Sequence, residues 1–320
     1  MKEATMRQIE RFKRQAFGVE VEMTGITRPA AAQLAGIYFG TNNATDTAAI
    51  NGYKTWSAWD TQGREWKFSR DASIIGDDDH KCEMVTPILH YDDIDTLAGL
   101  LRAFRKAGAK SCPNFGCGVH IHVDASGHTP RTLRNLVNLM SAHEEQLVQG
   151  LGIELRRLQT YCKVTDRNFK LMLNGKKPKT MDEFRRIWYS TQSGNSESLW
   201  HAHYDASRYH MLNLHATFTK GTVEFRLFQF DNPHDDRKGG LHAGQLKSYI
   251  QFCLALNQAA KDAKRTIAKD RTPKNPKQNM LGWLRRIGFV GEEFATARKV
   301  FTSKLPTIYT PIIMIDRSAA

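Results

Sequence analysis

Apolar and polar positions in this chain alternate between two periods, and the changes of period mark out its elements. Residues 3–14 repeat with the period of a helix, and residues 16–27 then alternate one by one, as a strand does. Pro29 predicts the start of a helix running to Phe39, because proline suits a first helical turn. Residues 40–63, rich in Thr, Asn, Gly and Asp, predict a long loop with at most a short strand. Strand-like segments follow at 64–70 and 82–89, and Asp92 and Asp93 open a helix to about Ala107. Residues 115–124 alternate again, and Thr129-Pro130 caps a helix expected to reach about Gly150.

Residues 163–206 read as irregular and polar, apart from a helix opened by Thr180 with Glu183 three positions on. Residues 208–230 predict a hairpin of two alternating strands around Lys220-Gly221. A long helix covers roughly 239–264, and a linker at 266–279 containing Pro273 and Pro276 precedes a small helical region at 280–304. There is no internal repeat and no low-complexity tract. This order of elements predicts an α+β fold with an antiparallel sheet. It divides into a catalytic domain over 1–265 and a basic linker with a small helical extension over 266–320.

Three of the strands share an uncommon feature. FGVEVEMT (17–24) sets Glu20 and Glu22 on one face and Val19, Val21 and Met23 on the other. GVHIHVD (118–124) does the same with His120 and His122 opposite Val119, Ile121 and Val123. TVEFRLF (222–228) sets Glu224 and Arg226 opposite Val223, Phe225 and Leu227. A sheet with one solvated face would carry Lys, Thr, Ser and Gln at such positions. Neighbouring carboxylates repel unless a positive charge lies between them, and metal ions would supply it. Glu83, in KCEMVTP (81–87), is a fourth carboxylate on another strand. Hard oxygen donors with only two imidazoles favour Mg²⁺ or Mn²⁺ over Zn²⁺ and suit a triphosphate that completes the coordination. Arg226 would offset charge on a transferred phosphoryl group. The chain has no GxxxxGK[ST] or GxGxxG loop, so the sheet and its metals would have to hold a nucleotide.

Composition narrows the setting. The 320 residues are 41% hydrophobic and 25% charged, as in folded globular proteins. No apolar run approaches the roughly 20 residues that span a bilayer. The segment MKEATMRQIERFKRQ lacks the apolar centre of a secretory leader. Five cysteines without a paired framework read as reduced thiols, so a cytoplasmic protein without membrane association is expected. Cys112 and Cys117 are close together but lack a second pair at zinc spacing. The formal charge of +13 suggests a polyanionic partner. Much of the excess lies in 261–304, where twelve basic side chains stand against four acidic ones. That segment is either a solvated helical face or a docking surface for an acidic partner.

GVEVE, DASI, EMVTP, GVHIHVD, R-x4-N and VEFR occur here in the order in which they occur in the amidoligase family. Over residues 16–256 the chain resembles that family, which is grouped with glutamine synthetase and glutamate–cysteine ligase among the carboxylate–amine ligases. The resemblance implies a curved, mainly antiparallel sheet forming a glutamine synthetase-like funnel, with ATP and two or three Mg²⁺ or Mn²⁺ ions on its inner face. It implies an amide or isopeptide bond made through an acyl phosphate.

By the same resemblance, Glu20, His120 and Glu224 are ligands of the metal nearer the ATP phosphates. Glu22 and Glu83 are ligands of the metal nearer the substrate carboxylate. His122 lies near the phosphates, Arg226 stabilises the phosphoryl group, and Arg208 with Asn213 beside it forms a second clamp. Asp71, in RDASI, receives the incoming ammonium. Two departures stand out: Ala72 replaces a frequent glycine, and the further carboxylate that glutamine synthetase has near the position of Glu83 has no equivalent, which leaves the number of metals open.

The substrates implied are a carboxylate and an amine on small molecules, peptides or proteins. Arg70 and Lys67 either bind a substrate carboxylate or lie on a solvated face. Trp56, Trp59 and Trp66 read as packing residues. His201, His203, His210 and His215 raise the alternative of a second metal site, and Cys117 could line the first. Competing functions are a guanidino kinase-like phosphotransferase on the same fold and a basic nucleic-acid-binding protein. The aromatic residues of 261–304 are better suited to packing helices than to stacking bases.

Overall fold

The computed structural model describes residues 3–192, 200, 202, 204–232, 240–265 and 272–309. Eight strands are formed: β1 (Phe17–Met23), β2 (Ala44–Asp46), β3 (Trp56–Trp59), β4 (Glu65–Ser69), β5 (Cys82–Val85), β6 (Val119–Asp124), β7 (Leu212–Asn213) and β8 (Thr222–Phe228). Their order in the sheet is β2-β3-β4-β5-β1-β6-β8-β7. The ladders β1–β5, β2–β3, β3–β4, β4–β5 and β7–β8 are antiparallel. With helices accompanying the sheet, the fold is α+β, as the order of elements predicts. The chain divides into two compact units.

One unit comprises residues 16–121 and 228–250. It is built on β1 to β5 and the first half of β6. The alternation in β1 decides which face is buried: Val19, Val21 and Met23 are almost wholly excluded from solvent, together with Phe68 of β4 and Met84 of β5. The helix Arg28–Phe39 lies against β2, β3 and β4. Its Ala31, Ala32 and Ala35 are fully buried, and such small side chains let a helix approach a sheet closely. Phe39 packs on Trp66 with ring centroids 5.0 Å apart, and Phe104 of the helix Ile94–Lys106 meets Phe68 at 5.8 Å. Each such buried ring or aliphatic side chain contributes about 1.5–3 kcal/mol relative to exposure. The turn after β1 requires glycine: Gly25 has φ +77°, and a Cβ there would lie 2.7 Å from the Gly108 carbonyl oxygen.

The other unit comprises residues 1–15, 122–227 and 251–320. It contains β7, most of β8 and a set of helices, among them Pro130–Ser141, Glu144–Leu151, Arg167–Lys176, Met181–Gln192, Pro276–Arg286 and Ala295–Thr302. The last two belong to its core. Trp283 stacks on His143 at 3.7 Å, and Phe252 packs against both Trp283 and Phe301. Residues 266–271 of the expected linker lie outside the described residues.

The structure differs from the sequence expectations in four places. Residues 40–63 are not one long loop but hold β2, the short helix Ala48–Asn51 and β3. Strands of three or four residues are too short for alternation to show, and their polar side chains satisfy one another, as Thr47 and Ser57 do at 2.7 Å. The helix expected to reach Gly150 breaks after Ser141, where His143 has φ −128° and its ring lies 3.0 Å from the Leu139 carbonyl oxygen. Residues 163–206 contain the helix expected to open at Thr180, formed as Met181–Gln192, and a further helix, Arg167–Lys176. The hairpin of 208–230 turns through a short helix, His215–Thr219, so β7 keeps only two paired residues.

Candidate active site

In the first unit, the register of three strands assembles the acidic face. Glu22 of β1 stands directly opposite Glu83 of β5, and Glu83 stands opposite Ser69 of β4. The next row runs Glu20, Val85, Lys67 and Ser57 across β1, β5, β4 and β3. These rows share a face because directly opposed residues of a ladder project to the same side. His120 Nδ1 lies 3.0 Å from Glu20 Oε2, and its Nε2 lies 3.8 Å from Glu22 Oε1. The Gly118 N–H donates to Glu22 Oε2 at 2.6 Å.

Two sets of three donors form here. One joins Glu20, Glu83 and His120; the other joins Glu22, Asp71 and Glu83. Within each set the donor atoms lie within 4.8 Å of one another. Glu22 and His120 are each only 4% exposed, and Glu20, Glu83 and Asp71 are half-buried. Five carboxylate or imidazole groups with one carboxylate common to both sets fit hard divalent cations such as Mg²⁺ or Mn²⁺. Asp71 is held by an Asx turn: its Oδ1 accepts from the Ser73 N–H and hydroxyl, both at 2.6 Å.

In the second unit, β8 and β7 build a guanidinium–carboxylate pair. Glu224, 2% exposed, accepts from Asn213 Nδ2 at 2.6 Å and from Arg226 Nη1. The register places Asn213 directly opposite Glu224. His122 Nδ1 lies 2.9 Å from Thr222 Oγ1, and its Nε2 lies 3.9 Å from Glu224 Oε1. The Arg226 guanidinium also lies over the Tyr209 ring at 5.8 Å. Arg208, half-buried in the turn Ala206–Arg208, packs on Tyr209 at 5.7 Å and Tyr204 at 5.2 Å. Each arginine is thus oriented by aromatic faces, which favour a planar cation.

Several residues that sequence reasoning passed over support these groups. Thr222 sits two positions before Glu224, so the same alternation could have found it. The spacing Asp71-x-Ser73 signals an Asx turn. Nothing local distinguishes Gly118 or Tyr209, whose partners Glu22 and Arg226 are distant in sequence.

The remaining candidates find structural places. Arg70 binds Asp78 at 2.5 Å; hydrogen bonds from Lys54 and Arg70 hold the Asp78 carboxyl down at about 2. Lys67 stays on the acidic face, 3.6 Å from Glu65. Trp66 is buried and donates to Asp60, as a packing residue would. His210 and His215 are each bonded to a main-chain carbonyl, of Ser207 and Ala202, and burial lowers both pKa values. Among the described residues neither joins a metal-holding group. His201 and His203 lie outside the described residues. All five cysteines are buried and none is in a disulfide. Among the described residues no helix is long and apolar enough to cross a membrane.

No curated protein matches the sequence. Among solved structures, the chain is similar to a bifunctional glutathione synthetase from Pasteurella multocida at 12% identity and a TM-score of 0.45, covering 95% of this chain and 49% of that one. The chain therefore spans about half the length of that protein. Residues 13–257 match the family model described as "Putative amidoligase enzyme". Every carboxylate, imidazole and guanidinium of the acidic face and of the Glu224–Arg226 pair falls inside that match, and the chain belongs to the amidoligase family.

Proposed function

We propose that this protein is an ATP-dependent carboxylate–amine ligase that forms an amide or isopeptide bond through an acyl phosphate. The carrying observation is the pair of donor sets that share Glu83 beside the buried Glu22 and His120, in a chain of the amidoligase family. On this reading the sheet is a glutamine synthetase-like funnel whose polar face is the inner one. Glu20, Glu22, Glu83 and His120 would hold divalent metal in the first unit, and Glu224 would be the metal ligand in the second. Bound Mg²⁺ or Mn²⁺ would neutralise the two anions that must meet, ATP and the substrate carboxylate.

The chain's own residues do the rest. Arg226, its fork held by Glu224 and Tyr209, offsets charge on the γ-phosphoryl group as a substrate carboxylate oxygen displaces ADP. Arg208, Asn213 and His122 complete the nucleotide side. Asp71 binds the ammonium form of the second substrate and takes one proton, because only the free amine is nucleophilic. The amine attacks the acyl carbon and phosphate leaves. The Gly118 N–H, 2.6 Å from Glu22 Oε2, orients that carboxylate for the cation.

Incubation with ATP, Mg²⁺ and a panel of amino acids and polyamines tests this. Phosphate release should depend on one carboxylate and one amine, with an amide detected by mass spectrometry. ADP formed with the phosphate retained on a stable acceptor would replace the ligase by a phosphotransferase.

A further inference from the structure

Away from the acidic face, the second unit carries a helical hairpin whose surface has its own chemistry. Helices Arg167–Lys176 and Met181–Gln192 pack on each other through Phe169, Leu173, Phe184 and Trp188, with Phe169 perpendicular to Trp188 at 4.9 Å. Beside this core lies a groove of about 540 Å³. Met172, Pro178 and Ile187 give it apolar walls, and Lys176 and Arg186 stand along it. Leu171, 62% exposed, and Met181 add apolar surface to the same hairpin.

The hairpin is strongly basic: residues 163–186 carry eight basic side chains against three acidic ones. Those three acids are engaged locally. Asp166 accepts from the Phe169 N–H at 2.6 Å and caps its helix. Asp182 pairs with Arg185 at 2.5 Å and Arg186 at 3.1 Å. Glu183 lines the groove but accepts from the Lys179 N–H at 2.7 Å. The groove therefore presents apolar walls within a net positive field.

We infer that this groove docks an acidic, amphipathic peptide segment of a partner protein. Aliphatic side chains of the segment seat against Met172 and Ile187, and its carboxylates meet Lys176 and Arg186. Methionine suits such a surface because its flexible thioether adapts to differing aliphatic partners. Complementary charge fixes orientation and speeds encounter. A single-stranded nucleic acid fits less well, since it needs aromatic platforms for its bases and among the described residues no aromatic ring lines this groove. The inference stands independently of the ligase reading.

The test uses the full chain and a fluorescein-labelled synthetic peptide of Glu with Leu at helical spacing, followed by anisotropy at about 50 mM salt. Binding should weaken about tenfold or more in the double variant Lys176→Glu/Arg186→Glu and in Met172→Ser, with far-ultraviolet circular dichroism unchanged. Replacing Leu by Ser or Glu by Gln in the peptide should do the same. Three results would overturn it: no binding by the parent protein, equal affinity in the folded variants, or tighter binding of a single-stranded oligonucleotide lost in the same variants.

Discussion

Glu22 and Glu83 face each other directly across the β1–β5 ladder, two carboxylates in a position where like charges destabilise a sheet. The Gly118 N–H and His120 approach Glu22, but the pair remains an arrangement that a cation would stabilise. Glu83→Gln should therefore act in opposite directions with and without metal. In chelator the melting temperature should hold or rise by about 2–4 °C, corresponding to roughly 1 kcal/mol of relieved repulsion. Added Mn²⁺ should stabilise the parent and not the variant. Differential scanning fluorimetry in both conditions decides, and equal Mn²⁺ shifts would remove Glu83 from the metal site.

The Glu224–Arg226 pair predicts an asymmetry in stability. Arg226→Met leaves a carboxylate buried with its strongest partner gone and should cost about 3–5 kcal/mol. Asn213→Ala removes one neutral donor and should cost about 1–3 kcal/mol. Combining Arg226→Met with Glu224→Gln should recover part of the loss, because no buried charge is then left. Urea denaturation of the set measures each term, and strictly additive losses in the double variant would contradict the pairing.

Stability should fall in mild acid through two buried histidines. Burial holds His128 and His143 at about 4, below the ordinary value of 6.5. The unfolded chain takes up these protons near pH 6.5, while the folded chain does so only near pH 4. Their neutral forms thus contribute stability in full above pH 6.5, and it is lost as the pH falls from 6.5 towards 4. His143→Gln should flatten the decline of melting temperature between pH 7.5 and pH 5, and an unchanged slope would count against this assignment.

Asp71→Asn separates the two half-reactions. Asparagine retains the Oδ1 acceptor that binds Ser73, so the turn should stay ordered while the charge is lost. The acyl phosphate can still form, but a neutral amide neither attracts an ammonium nor accepts its proton. The ratio of amide made to phosphate released should drop by about a hundredfold, within the range for general-base removal. A ratio equal to that of the parent would leave Asp71 as a loop-ordering residue.

Alternation by itself determined a good deal of this protein. Val19, Val21, Met23, Val119, Ile121, Val223 and Phe225 had to face a core, because a strand can hide only every second side chain. The same rule put Glu20 with Glu22, His120 with His122 and Glu224 with Arg226 on the opposite face. The helix start at Pro29 and the cap at Thr129 were legible for a similar reason: they act within one helical turn.

What crosses between segments was decided only by the tertiary structure. Register set Glu83 opposite Glu22 and Asn213 opposite Glu224, since pairing depends on how strands meet and not on either strand alone. The helix Arg167–Lys176 was hidden because its apolar positions, Phe169 and Leu173, make a core only where they meet Phe184 and Trp188 of the helix Met181–Gln192. Strands as short as β2 and β3 hold their shape through neighbours, the helix Arg28–Phe39 above all, and their own sequence carries too few residues to show a period. The burial of Glu22 and His120 within the charged face has the same origin: alternation says which side chains share a face, and only the packed chain says where water reaches it.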